Sequence, residues 1–243
     1  MSATNRTKKD SKTGEKSKTE RLGDDLYETP AWVTQALLEE NILIPGNWME
    51  PCAGRGAIML AERNWRHRSK RSILAPYWYA VEKRADCAEP LLEFCHPLTA
   101  DFLEERDGHR DNLDKLRVDV VLTNPPFSLA LDFIQTCMRR WPEAMLAFLS
   151  RVNFLGSQKR APWLREHTPD VYVLPKRPSF AHGGTDATEY AWLVWPTGAE
   201  VRREGRVKIL LLPLKAGEVV QENPYRQGLT GADEAYDEET RDR

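Results

Sequence analysis

The most specific chemistry in this chain sits at Asn124-Pro125-Pro126-Phe127. Two consecutive prolines fix φ and remove two N–H donors, which holds the preceding backbone extended and leaves its carbonyls free. Asn124 adds a side-chain acceptor beside the Pro125 carbonyl, so two acceptors converge on one exocyclic NH2 group. Phe127 offers a ring on which a planar base can stack. The bland alternative is an ordinary proline-rich turn between a strand and a helix. What precedes the motif speaks against that.

Glu50-Pro51-Cys52-Ala53-Gly54-Arg55-Gly56 has glycines at positions where a backbone must turn tightly and approach a ligand. The third glycine of a dinucleotide fingerprint is missing, since position 59 is Met. A carboxylate at Glu50 would also repel a pyrophosphate, and it suits the positive amino group of a zwitterion better. Glu82 follows 28 residues after Gly54, where an acidic side chain accepts ribose hydroxyls. Asp101-Phe102 then provides a carboxylate for an exocyclic amine and a ring to cover a purine. Taken singly, each is an ordinary helix cap or core aromatic. In this order they describe an adenosine pocket without a phosphate.

The elements that must position these residues alternate between apolar runs and helical patterns. Trp48–Glu50, Tyr77–Glu82, Leu98–Asp101, Val118–Leu122, Ala144–Leu149, Val171–Leu174 and Glu189–Trp195 read as strands. Helices are expected over 57–65, 85–95 (with Pro90 blurring its start), 157–167, and from Ser128 as N-cap to Arg139-Arg140 at the dipole's negative end. This alternation implies a single α/β domain with a doubly wound, mostly parallel, Rossmann-like sheet. Ligands bind such sheets outside the carboxyl ends of the strands, and every residue singled out above lies there.

Composition sets the boundaries. Lys and Arg total 35 and Asp and Glu 37, a net charge of −2. Residues 1–21 carry seven basic and three acidic side chains and almost nothing apolar, so a disordered basic tail is expected. Residues 224–243, with three basic and six acidic, read as a disordered acidic tail. Between them lie a catalytic domain over 22–196 and an extension over 197–223 with one apolar strand at 207–214. No apolar run approaches the roughly 20 residues of a membrane span, and no secretory signal opens the chain. The cysteines lack metal-ligand spacing, so no metal is expected and a reducing cytoplasmic setting fits.

With these residues in view, the chain resembles the S-adenosylmethionine-dependent amino-methyltransferases, and most closely the DNA adenine-N6 enzymes. The resemblance spans about residues 26–196 and rests on EPCAGRG, Glu82, ADF at 100–102 and NPPF at 124–127. Tyr27-Glu28-Thr29-Pro30, before an amphipathic helix, resembles the upstream segment that closes over the methionine end of the cofactor. The resemblance implies a class I, seven-stranded sheet with its last strand antiparallel. It places S-adenosylmethionine against Thr29, Pro30, Glu50, Pro51, Cys52, Ala53, Gly54, Gly56, Glu82, Asp101 and Phe102. It gives transfer to Asn124, Pro125, Pro126 and Phe127, with the target base flipped out of the duplex. A prokaryotic or phage origin also follows from it.

Substrate contacts are expected from two loops that mix cations, amides and a ring. One holds Arg151, Lys159 and Arg160; the other holds Lys176, Arg177 and Phe180. Phe180 is the candidate to face the flipped base. The densest basic cluster, Arg63, Arg66, Arg68, Lys70 and Arg71, falls at the opposite edge of the sheet and reads as a solvated loop. A Pro51-Cys52 nucleophile, as in cytosine-C5 enzymes, is set aside because it lies within the cofactor loop. Cytosine N4, an RNA base amine or a protein glutamine remain alternative targets, and an inactive nucleic-acid-binding relative is the alternative outside catalysis. No large recognition domain is evident, so DNA specificity would fall to short loops or to a second subunit, most simply a second copy of the chain.

Overall fold

The computed structural model describes residues 28–69, 74–104, 109–180, 188–196 and 205–213. Both charged tails, Tyr27, Lys70, Arg71 and positions 181–187 of the Phe180 loop lie outside the described residues.

Val120-Val121-Leu122-Thr123 is buried along its whole length, as a strand covered on both faces must be. Eight strands form one sheet: β1 (Asn47–Glu50), β2 (Tyr77–Glu82), β3 (Leu98–Thr99), β4 (Val120–Thr123), β5 (Met145–Arg151), β6 (Asp170–Val173), β7 (Tyr190–Trp195) and β8 (Val207–Ile209). Their order is β3-β2-β1-β4-β5-β7-β6-β8. β7 runs antiparallel to both β5 and β6, and the remaining pairs are parallel. The first seven strands match the doubly wound expectation with one reversed strand. β8 extends the sheet by pairing with β6, and its Val207 and Ile209 are exposed.

Helices cover both faces: α1 (Ala31–Leu38), α2 (Ala57–Arg68), α3 (Ala88–Leu91), α4 (His109–Asp114), α5 (Ala130–Arg140) and α6 (Ala161–Glu166). Alternate strand residues divide between two cores. Trp48, Val120 and Leu122 join α1 and α2 on one face. Met49, Val121 and Phe148 join Phe133, Ile134 and Cys137 of α5 on the other.

Several boundaries differ from the sequence expectation. α1 is not amphipathic: Val33 to Leu38 are all buried, including Thr34 and Gln35. Trp192 from β7 reinforces this by donating from its indole nitrogen to the Val33 carbonyl at 3.0 Å. α5 starts at Ala130, not at a Ser128 cap, because a turn bonded from Leu129 N–H to the Pro126 carbonyl comes first. The 85–95 segment is a 3-10 turn followed by the short α3, with Pro90 tolerated inside the first turn. α6 begins only at Ala161, where Pro162 is compatible with a helix start.

Candidate functional site

The strand order reverses between β1 and β4, and a cavity of about 670 Å3 opens at the carboxyl ends there. This lies within the size range of ordinary small-molecule sites. The loop after β1 forms one wall. Gly54 and Gly56 have φ of 53° and 82°, a region in which a side chain strains the backbone. A Cβ on Gly56 would also lie 3.0 Å from the Phe94 ring. The loop is tied to β2 twice: Ala53 N–H donates to the Val81 carbonyl at 3.0 Å, and Gly54 N–H to Glu82 Oε2 at 2.7 Å. The other Glu82 oxygen accepts Arg84 N–H at 3.0 Å. Glu82 thus clasps the glycine loop while its carboxylate lines the cavity.

Two polar atoms at this cavity are buried with no hydrogen-bond partner among the described residues: Glu50 Oε2 and Asn124 Oδ1. Such groups are costly to leave unmet, and their convergence on one space marks where a ligand would satisfy them. Burial pushes the Glu50 carboxyl well above the usual carboxylate range, and the nearby negative charge of Glu82 adds to the rise. A cationic ligand group would oppose this rise by favouring the ionised carboxylate.

Asn124 is held from its other side, where Nδ2 donates to Thr29 Oγ1 at 3.0 Å. Thr123 meets the Cys52 sulfur at 2.9 Å. Burial raises the Cys52 thiol well above its ordinary range, which disfavours the thiolate that a nucleophile requires.

At the far end, Asp101 Oδ1 accepts Leu103 N–H at 3.0 Å and the side chain is exposed. Phe102 is 3% exposed and stacks on Phe133, with centroids 5.4 Å apart and planes at 16°. Both rings line the cavity, and Arg140 covers Phe102 at 4.9 Å. Beside Asn124, Phe127, Phe180 and Tyr190 form a cluster with centroids 5.1 to 6.2 Å apart. The Arg151 guanidinium lies 5.0 Å from the centroid of Phe127, and its Nε donates to Tyr190 Oη at 3.3 Å.

The residues expected from the sequence divide accordingly. Thr29, Glu50, Pro51, Cys52, Ala53, Gly54, Glu82, Asp101, Phe102, Asn124, Pro125, Pro126, Phe127 and Arg151 line the cavity. Pro30 and Gly56 do not; they shape the starts of α1 and α2. Phe180 sits behind Phe127. Lys159 is exposed. Arg160 donates to the Phe154 carbonyl at 2.8 Å, Lys176 covers Trp32 at 5.0 Å, and Arg177 pairs with Glu189 at 2.6 Å. None of these five lines the cavity.

Phe133, Lys83 and Arg84 line the cavity without having been expected there, and Arg55 and Glu28 join it from within the expected motifs. Lys83 and Arg84 directly follow a strand end, a signal present in the sequence. Phe133 had none, because its helical spacing already explains it as core. Of the basic cluster, Arg63 pairs with Glu93 and Arg66 with Glu62, each at 2.9 Å, and neither lines the cavity.

Comparison with protein-family profiles and with curated protein sequences returned no match. Solved structures do match. A modification subunit assigned to a type I restriction enzyme from Vibrio vulnificus YJ016 aligns with a TM-score of 0.52 at 19% identity, over 76% of this chain and 46% of that one. The M protein of the type I restriction enzyme EcoKI aligns at 0.53 and 15% identity, again over 76% and 46%. A protein from Listeria monocytogenes assigned as a class I S-adenosylmethionine-dependent methyltransferase aligns at 0.52 and 16%, over 78% and 68%. The chain spans about half the length of the restriction subunits it matches. The fold is therefore that of the class I methyltransferases.

Proposed function

We propose that this chain, with its class I methyltransferase fold, transfers a methyl group from S-adenosylmethionine to the exocyclic N6 of adenine in DNA. The observation that carries this reading is that Asn124 and Glu50 both line the cavity and each holds a buried oxygen with no hydrogen-bond partner among the described residues, Asn124 directly before a rigid Pro-Pro turn. The restriction-enzyme descriptions of two similar structures favour DNA over other substrates.

The residues present fit the cofactor. Glu50 would receive its ammonium group, Glu82 the ribose hydroxyls, and Asp101 the adenine amine, with Phe102 and Phe133 as the apolar wall. When bound, S-adenosylmethionine supplies an electrophilic methyl group on a sulfonium. The lone pair of an adenine N6 is delocalised into the ring, which makes it a poor nucleophile. Asn124 Oδ1 and the Pro125 carbonyl would accept its two N–H bonds and favour a pyramidal nitrogen with its lone pair aimed at the methyl group. This stabilises charge that develops only during transfer and fixes the angle of approach. Phe127, backed by Phe180 and Tyr190, would stack on the extruded base. Arg151 would contact the extruded nucleotide, while Lys159, Arg160, Lys176 and Arg177 would meet phosphates on the surrounding surface. No group in this account forms a covalent intermediate with the base.

Incubation with labelled S-adenosylmethionine and unmethylated duplex DNA, bulk RNA or protein extract tests the proposal. Label recovered as N6-methyladenine in DNA supports it. Label confined to RNA, to cytosine N4 or to glutamine overturns the substrate assignment.

A further inference from the structure

The hydroxyl of Thr29 is joined to the amide of Asn124 across 95 residues of sequence. Thr29 is 6% exposed and lies just before α1, with Pro30 between them. α1 is a firm anchor: Trp192 bonds its backbone, and most of its side chains are buried against the sheet. On the other side, Thr123 is 0% exposed and meets the Cys52 sulfur, so the backbone that presents Asn124 is fixed as well. The Asn124 amide itself can still rotate about its terminal torsion. Two-fold torsions of this kind are broad and soft unless a partner locks them.

We propose that Thr29 is a positioning residue for transfer. By accepting the Nδ2 hydrogen, its hydroxyl restrains rotation of the Asn124 amide and leaves Oδ1, which has no partner among the described residues, for the target amine. The inference rests on the functional reading above, and it assigns Thr29 a task separate from contact with the cofactor. A target amine approaches with hydrogens. An amide rotated by half a turn would meet them with its own NH2, donor against donor, and the nitrogen would be pushed away from the transfer geometry. The upstream segment therefore acts on the chemistry through the orientation of one carbonyl oxygen.

Thr29→Val keeps the shape of the side chain and removes its hydrogen-bonding capacity; Thr29→Ser restores the hydroxyl and removes the methyl group. Misplacement of a reacting group by about 1 Å is worth roughly 100-fold in rate, so the single-turnover rate of Thr29→Val should fall about 10- to 100-fold. Cofactor affinity measured by calorimetry should stay within about 3-fold of wild type, and the Ser variant should recover most of the rate. The side-chain NH2 resonances of Asn124, read by NMR on the labelled full chain, should show slow hydrogen exchange in the wild type and Ser proteins and fast exchange in the Val protein.

An unchanged rate or unchanged NH2 exchange in Thr29→Val overturns the inference. So does a rate loss matched by an equal loss of cofactor affinity, which would make Thr29 a cofactor contact. A Ser variant as impaired as the Val variant also overturns it, since packing of the methyl group would then be the cause. A wild-type chain that methylates no nucleic acid defeats the functional reading itself, whereas the other three outcomes leave that reading intact.

Discussion

Glu82→Gln separates the observed job of one carboxylate, clasping the glycine loop, from the proposed one, receiving a ribose. Both oxygens of Glu82 accept backbone N–H groups, from Gly54 at 2.7 Å and from Arg84 at 3.0 Å. A glutamine offers one oxygen and one NH2, so whichever way it turns, one backbone N–H faces a donor. The Gly54 bond is fully buried and the Arg84 bond only partly, so the oxygen should stay with Gly54 and abandon Arg84. An unmet buried donor costs about 1–3 kcal/mol, and partial exposure at Arg84 places this case near 1–2 kcal/mol. For a domain of this size each kcal/mol lowers Tm by about 2–4 °C, giving a fall of about 2–8 °C without any ligand. The loss of the neighbouring charge eases the burden on Glu50 and pulls the figure toward its lower end. Thermal unfolding of the ligand-free variant, followed by calorimetric titration with S-adenosylmethionine, measures both jobs. The cofactor should bind about 10- to 100-fold more weakly, because the loop shifts and a charged acceptor is lost. An unaltered Tm would refute the clasp, and unaltered binding would refute the ribose contact.

Three further outcomes follow from the same geometry. Glu50 has its carboxyl raised in the folded chain by burial and by Glu82, so its protonated form contributes stability at low pH that is lost as pH rises from about 4.3, the unfolded value. Glu50→Gln should therefore unfold at a higher temperature than wild type at pH 7.5, with the gap closing toward pH 4; a gap that widens on acidification would contradict the sign. Cofactor affinity of the wild type should rise with pH as Glu50 ionises, and that slope should flatten in the variant. Gly56→Ala combines a positive φ with a Cβ 3.0 Å from the Phe94 ring, so strain and crowding together should destabilise by about 2–4 kcal/mol in denaturant titration; a loss below about 0.5 kcal/mol would show that the loop relaxes. Phe180→Ala should raise KM for DNA several-fold with cofactor affinity unchanged, because Phe180 supports Phe127 from outside the cavity. Weaker cofactor binding in that variant would place it elsewhere.

The residues at the strand ends were legible because each breaks a local rule. A strand that is otherwise apolar ends in Glu50, another ends in Glu82, and two prolines interrupt a strand-to-helix junction at Asn124. Such departures from patterning have few explanations besides a site. Phe133 was hidden because it obeys every rule of a core helix position while its ring faces Phe102 at the cavity wall. The clasp that Glu82 makes on the glycine loop was hidden for a related reason: a backbone N–H leaves no mark in sequence, and only the folded loop brings Gly54 to it. The basic residues show a different limit of a sequence reading. Arg160, Lys176 and Arg177 have the right composition for a substrate surface, yet each is engaged with a neighbour within the chain, on Phe154, Trp32 and Glu189. Charge counted along a sequence does not reveal which cations are already satisfied.

At the core of the proposed function, the unmet Asn124 oxygen receives the amine of adenine. Mass spectrometry of nucleosides from duplex DNA incubated with the chain and S-adenosylmethionine tests it most directly, with Asn124→Ala alongside. N6-methyladenine is expected from the wild type, at least about 100-fold less from the variant, and cofactor binding retained in both. Comparable N6-methyladenine from Asn124→Ala, or cofactor binding lost in step with transfer, would contradict it.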